Sequence, residues 1–264
     1  LSGSCQKDVK LNLINTIECS PMPEAVAASC SFTYNGDIYI FGGRTNDGAR
    51  TNRLWKYTPS TDQWTSLGET PIKARVSSSA CVIDDKVYIG LGYSGYIHRD
   101  ESYLRDFWAY SPSSQEWKRL ADFPANTTVK NCLFATDSAI YAVYGFYRQF
   151  TQDVYRYDIA KDNWEKVNLR TTNHVPRAMD IVGVTCQNKH FLGTGFNHNS
   201  LRFWAEWDPY EQQYISCQNI LGAGRNAAAC CATKNYIYLA GGRHYGDTLT
   251  TGFFFSSIQR YSPD

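Results

Sequence analysis

The stretch Y-S-P-S-S-Q-E-W, residues 110–117, sets a tyrosine seven residues before a tryptophan. The same step separates Tyr57 from Trp64 and Tyr157 from Trp164, and Trp207 and Tyr214 keep it with the ring types exchanged. Four occurrences of one spacing define a repeat. Each spans a turn: in "TPST", "SPSS" and "DPYE" proline fixes φ and Ser or Asp caps the turn. Alternation in "LWKY" and "VYRY" turns one face of each strand to a core, as in antiparallel sheets.

Working outward, each unit is preceded by an apolar strand ending in a glycine doublet or its remnant. These are "DIYIFGG" (37–43), "KVYIGLG" (86–92), "AIYAVYG" (139–145), "HFLGTG" (190–195) and "YIYLAGG" (236–242). Unit two has Leu91-Gly92, unit three Tyr144-Gly145 and unit four Thr194-Gly195 in place of two glycines. The period of roughly 47–53 residues suits propeller blades and is too long for the shorter solenoid repeats. Unit five stops at "IQRYSPD", one strand short, while "VKLNLINTIECSP" (9–21) at the other end alternates and runs into Pro21 as "TSLGETP" runs into unit two. The reading is an all-β propeller of five four-stranded antiparallel blades, with the N-terminal strand closing the last blade and removing open edges. Residues 1–8 are a tail and 9–264 a single domain.

Composition agrees with this. A chain of 264 residues buries roughly 70–75% of its unfolded surface. Net charge of +1 offers no field for nucleic acid or an anionic membrane, and aromatics at 15% favour β-structure and recognition surfaces. No run of eighteen apolar residues is present, so nothing reads as a membrane span. Nine cysteines occur without any C-x-x-C. Cys30, Cys81, Cys132, Cys186, Cys230 and Cys231 fall in apolar stretches and read as small buried thiols, and a disulfide involving Cys19 or Cys217 is not readable. "LSGSC" resembles the end of a bacterial lipoprotein signal with Cys5 as lipid acceptor, although Ser2 stands where Leu is usual. The sequon at Asn126 matters only on a eukaryotic secretory route.

Glycine doublet, Tyr, six residues, Trp: over about residues 9–264 the chain resembles the kelch repeat. The stretch from Val87 to Pro124 is also similar to kelch proteins of Bacteroidetes-type bacteria, many of them secreted or lipid-anchored. Together with "LSGSC" this gives an expected place in the bacterial cell envelope: periplasmic, outer-membrane-anchored or secreted. Five blades is fewer than the usual six or seven, and units four and five lack the Trp.

The resemblance implies a ligand face at one channel mouth, built from the loops after the doublets and the segments leading into each first strand. The first set, "RTNDGAR", "YSGYIHRDE", "FYRQF", "FNHNS" and "RHYGD", supplies Arg44, Tyr93, Tyr147, Arg148, His198, Arg243, His244 and Tyr245. Flat rings beside bidentate donors suit sugars and acidic sugars. The second set supplies Arg75, Lys130, Arg177, Asp180, Arg225 and Asn226, with Glu24 ahead of them. Arg75 and Arg225 lie at matching distances before their strands and Arg177 is displaced by one. The reading is an arginine ring that attracts an anion.

The expected function is a binding protein for a small polar ligand, a glycan or acidic sugar, or for a protein. The alternatives are a sugar mutarotase or epimerase resembling sialic acid mutarotases, and a protein-interaction scaffold. Asp180, Glu24, His198 and His244 are acid–base candidates by position only, and no catalytic residue is assigned. Galactose oxidase chemistry needs a Tyr-linked Cys, and no Cys lies in these loops. No nucleotide-loop, hydrolase-elbow or zincin motif appears, so no cofactor and no metal are expected, and the chain reads as a monomer.

Overall fold

The structure, a computed structural model, describes residues 18–95, 99–125, 130–136, 138–143, 145–170, 175–216, 218–246 and 252–263. Among the described residues, four four-stranded sheets and one three-stranded sheet are the five blades of a propeller. Blade one runs Cys30–Tyr34, Asp37–Phe41, Arg53–Thr58 and Gln63–Glu69 from the axis outward. Blade two runs Ser79–Ile83, Lys86–Gly90, Phe107–Ser111 and Glu116–Arg119. Blade three runs Cys132–Ala135, Ala139–Val143, Val154–Asp158 and Asn163–Lys166. Blade four runs Val182–Cys186, Lys189–Gly193, Trp204–Asp208 and Gln213–Ser216. Blade five contributes Ala229–Ala232, Ile237–Ala240 and Ile258–Tyr261. Among the described residues no helix is long and apolar enough to cross a membrane.

The repeated aromatics are direct cross-strand partners. Tyr57 faces Trp64, Tyr110 faces Trp117, Tyr157 faces Trp164 and Trp207 faces Tyr214. Their ring centroids lie 5.0, 4.3, 5.0 and 4.9 Å apart. Such pairs stabilise a sheet by roughly 0.2–1 kcal/mol each beyond burial. They also reach neighbouring blades: Trp164 meets Phe107 of blade two at 5.0 Å, and Trp207 meets Tyr141 of blade three at 5.6 Å. The four apolar clusters follow this plan, each filling the space between two consecutive blades.

A second contact stitches the seams. Asp162, in the blade-three turn, accepts the Tyr157 hydroxyl at 2.6 Å and the Ala121 N–H at 2.8 Å, and Trp164 Nε1 donates to the Ala121 carbonyl at 3.1 Å. Ala121 lies just past the outer strand of blade two. Blade one repeats the pattern with Asp62, Tyr57, Trp64 and Ser20 at 2.6, 2.8 and 2.9 Å. Ser20 therefore stands at blade one where Ala121 stands at blade three. The strand that the sequence assigns to the closure of blade five, up to residue 17, lies outside the described residues, as do Cys5, Asn126 and Cys217.

Two of the imperfect doublets keep the geometry of the perfect ones. Leu91 and Thr194 hold φ of 60° and 59° where Gly42 and Gly241 hold 66° and 59°. The second position is glycine in every blade for a steric reason. A Cβ on Gly92 would lie 2.5 Å from the Val76 carbonyl oxygen, and one on Gly242 would lie 2.7 Å from that of Asn226.

The described cysteines are free thiols. Cys30 and Cys132 are buried, and burial pushes both thiols up to about 12. Burial raises Cys81 and Cys230 as well. Cys231 departs from the sequence expectation: it is exposed, because neighbouring residues of a strand point to opposite faces and Cys230 takes the inward one. In the native protein a maleimide should therefore label Cys19 and Cys231 quickly, and Cys30, Cys81, Cys132 and Cys230 only after denaturation. Peptide mapping by mass spectrometry reads this, and fast native labelling of Cys132 would contradict it.

Candidate functional site

One residue per blade with a left-handed backbone leads into each innermost strand: Ala28, Ser77, Lys130, Asp180 and Ala227, with φ between 48° and 58°. Backbone bonds link these positions around the mouth. Ser77 N donates to Ala28 O at 2.9 Å, Asp180 N to Lys130 O at 3.0 Å and Ala227 N to Asp180 O at 3.4 Å. Lys130 Nζ and Asp180 Oδ2 form an ion pair of 2.9 Å across two blades. Two of the expected site residues thus meet at the mouth and neutralise each other.

The arginine ring is not formed. Arg75 is fully buried: Nη2 pairs with Asp106 at 2.6 Å, Nη1 donates to Leu91 O at 3.0 Å and Nε to Lys73 O at 2.8 Å. Arg225 is buried in the matching place. It donates to Gly241 O at 3.1 Å, reaches Ser257 Oγ at 3.4 Å and lies 4.0 Å over the Phe255 ring. Burial lowers its pKa. The carbonyls of Arg75, Ala178 and Arg225 accept the same bond from Gly43, Gly145 and Gly195. Ala178 therefore holds the arginine position in its blade, and the one-residue displacement leaves Arg177 exposed. The two in-register arginines bind blade to loop rather than face the channel. Asn226 is also buried, its Oδ1 accepting from Arg243 at 3.2 Å.

The loops after the doublets are short hairpins. Phe146–Tyr147 pairs with Gln149–Phe150 around Arg148, and Phe196–Asn197 pairs with Asn199–Ser200 around His198. Both apex residues have positive φ, 57° and 61°, and both are exposed. Arg243–Tyr245 pairs with Gly252–Phe254. A run of rings crosses these loops: Tyr103 to Tyr147 at 5.1 Å, Phe150 to His198 at 5.1 Å, Phe150 to Phe196 at 5.9 Å and Phe196 to Tyr245 at 5.9 Å. Tyr93 joins it at 6.5 Å from Tyr103.

Cations border the run. Arg148 is held by Asp100 at 2.8 Å, and the Asp100 carboxyl is lowered first by the Tyr147 hydroxyl and then by Arg148. Arg243 donates to the Tyr245 hydroxyl at 2.9 Å and sits 4.8 Å over its ring. The His244 Nδ1 lies 2.7 Å from the Gly224 carbonyl. Arg44 and Arg177 are exposed and make no side-chain hydrogen bond or ion pair among the described residues. Glu24 is taken up by Trp55 Nε1 at 3.1 Å. Asp100, Tyr103, Phe150, Phe196 and Asp106 were not singled out by sequence, and only the repeated "F-x-x-x-F/S" form of the hairpins could have pointed to Phe150 and Phe196. Among the described residues no three His, Cys, Asp or Glu side chains are grouped to hold a metal ion.

The channel itself holds a cavity of 1430 Å³ that none of the fourteen expected residues lines. Its wall is made of Ser31, Thr33, Val82, Ala135, Thr185 and Cys231 along the innermost strands, and it opens past Asp84 and Asn188 on the face of the strand hairpins.

Radial sheets around a cavity, with hairpin loops gathered at one mouth, define a β-propeller. The chain belongs to the kelch-repeat family: the KLHDC2/KLHL20/DRC7 Kelch-repeats domain matches residues 7–195. Kelch-like protein terF of Aspergillus terreus is 35% identical over 115 residues, covering 41% of this chain and 25% of that protein. Human Kelch repeat and BTB domain-containing protein 12 is 26% identical over 184 residues, 62% of this chain and 29% of that protein. The chain thus spans about a quarter of the length of these curated relatives. The solved "Structure of YjhT" shares the fold, with a TM-score of 0.74 and 15% identity over 92% of this chain and 83% of that one.

Arg75→Ala empties a fully buried site and leaves the half-buried Asp106 carboxylate without its cation, with only the Trp108 N–H, and should cost about 3 kcal/mol in denaturant unfolding. Arg177→Ala should change stability by less than about 0.5 kcal/mol. Burial pushes the Asp106 carboxyl up, but Arg75 and the Trp108 N–H outweigh it and hold it below its ordinary value. The pair's stabilisation is then present above about pH 4, the ordinary carboxylate value, and is lost as pH falls through the lower folded value. Acid unfolding should lose this component in Arg75→Ala, and equal stability of Arg75→Ala and Arg177→Ala would contradict the assignment.

Proposed function

We propose that this kelch propeller is a binding module that takes an acidic segment of a protein partner on its loop face. The observation that carries the reading is the split among the arginines. Those in register with the repeat are consumed by the fold, whereas Arg44 and Arg177, on the segments that build the loop face, stand exposed and unpaired among the described residues. Unpaired guanidinium groups on a face that also carries flat aromatic rings suit carboxylates carried on an extended chain. The fold supports binding by geometry alone, since the hairpins of successive blades converge on one mouth. Asp180, tied to Lys130, lends no support to an acid–base role in a mutarotase. A glycan or acidic sugar as ligand, and a place in the bacterial cell envelope, rest on the sequence alone.

Selection of a random peptide library on the immobilised protein tests this. Recovered peptides should be enriched in Asp and Glu, and their affinity should fall at least roughly tenfold, about 1.4 kcal/mol, in Arg44→Ala/Arg177→Ala with the melting temperature unchanged. Binders that ignore the double substitution, or that carry no acidic bias, would contradict the reading.

A further inference from the structure

Three contacts recur where one blade meets the next. The first is an apolar cluster, present between blades one and two, two and three, three and four, and four and five. The second runs from the second glycine of a doublet to the lead-in of the next blade, the segment entering its innermost strand. Gly43 N donates to Arg75 O, Gly145 N to Ala178 O and Gly195 N to Arg225 O, each at 2.9 Å. The third joins the left-handed residues at the mouth: Ser77 N to Ala28 O, Asp180 N to Lys130 O and Ala227 N to Asp180 O. By the same offsets Gly242 N would meet Val26 O and Ala28 N would meet Ala227 O. Among the described residues neither bond is formed, and no apolar cluster joins blade five to blade one.

Blade five shows the consequence. In the other blades the third-strand residue opposite the end of the second strand is Leu54, Phe107, Val154 or Trp204, each between 0% and 3% exposed. Each shares a cluster with an apolar residue of the segment that follows its blade: Ile72, Phe123, Val167 and Ile220. Their counterpart Ile258, opposite Ala240, is 62% exposed. Among the described residues its strand pairs on one side only, with Ile237–Ala240. Blade one faces the same junction from the other side. Ser20 meets the Asp62 turn as Ala121 meets the Asp162 turn. Ala121 has just left the outer strand of blade two, where Arg119 pairs with Trp108. Glu18, at the matching place before Ser20, pairs with no residue of blade five.

We propose that the junction between blades five and one is an interaction surface for one further blade, a twisted four-stranded antiparallel sheet with an apolar face toward each neighbour. Continuity with the four filled junctions sets its chemistry. It brings an apolar residue onto Ile258, a lead-in carbonyl to Gly242 N and a left-handed residue between Ala227 and Ala28, and it covers the second face that each flanking blade needs covered. The blade belongs to the same polypeptide, because the chain entering at Ser20 leaves its outer strand, and its inner strands come from residues outside these 264. Of the solved propeller with this fold, 83% is matched by 92% of these 264 residues, so about 50 residues there, the length of one repeat, have no counterpart here. The surface is separate from the loop face and stands or falls apart from the loop-face reading.

Two measurements test it. In the 264-residue protein, native-state hydrogen exchange should find the Gly242 and Ala28 amides at least roughly tenfold less protected than those of Gly43, Gly195, Ser77 and Asp180. Equal protection would mean a ring closed by five blades and overturns the surface. The occupant is read on the protein isolated from its natural source, by intact mass, peptide sequencing and the same exchange measurement. The native polypeptide should exceed 29.9 kDa by at least about 5 kDa, one repeat of roughly 50 residues, and should protect both amides. A native polypeptide of 29.9 kDa overturns the blade, whether it is single, paired with a second copy or bound to another protein. A longer one in which Gly242 and Ala28 stay unprotected overturns it as well.

Discussion

Blades one and three of this propeller are each tied to the chain segment that precedes them, and the packing of their edges depends on that seam. A blade is a small twisted sheet with two apolar faces, and it is stable only when both are covered by neighbours. The turn carboxylates Asp62 and Asp162 make the covering specific. Each gathers the tyrosine of its own blade and a backbone N–H from the segment before it, while the facing tryptophan holds the carbonyl of that same residue. At Asp62 the carboxyl is lowered first by Tyr57 and then by the Ser20 N–H, so the seam is held by the ionised form. In blades one and three the Tyr–Trp spacing, with Asp five residues after the Tyr, is the sequence trace of this device.

The seams divide the molecule into two working faces. On one, hairpins folded back after the doublets carry Arg148 and His198 at their apices among two groups of packed rings. On the other, the strand hairpins open onto the channel cavity. The second glycine of the doublet makes the first face possible, because at Gly92, Gly195 and Gly242 a carbonyl of the same blade's lead-in passes close to where a side chain would be. The buried arginines serve the same junction, Arg75 reaching the Leu91 carbonyl and Arg225 that of Gly241. Charge at these positions is spent on backbone carbonyls that the left-handed turn leaves without ladder partners.

The blades, their order and their turns were legible because periodicity two, proline turns and a fixed ring spacing all recur in register. The imperfect doublets were legible as departures, though not as harmless ones: that Leu91 and Thr194 adopt the glycine backbone is set by the tertiary frame. The site was legible only in part. Sequence placed Tyr147, Arg148, His198 and Tyr245 on one face but could not tell an arginine that faces solvent from one that faces a carbonyl. One residue of offset separates Arg177 from the Ala178 position, and that offset decides which it is. Cys231 failed similarly, since a run of two cysteines in a strand must split between faces. The channel cavity left little trace, because its innermost wall is made largely of the small and β-branched residues that any inner strand carries.

Native-state hydrogen exchange of the Ala121 amide tests the seam most directly. That amide lies outside every sheet ladder and donates to Asp162 alone. The account predicts slow exchange in the unaltered protein. In Asp162→Ala it predicts fast exchange at Ala121, with the Ile140 amide inside blade three unchanged. Exchange of Ala121 at the rate of an open turn amide in the unaltered protein would contradict it.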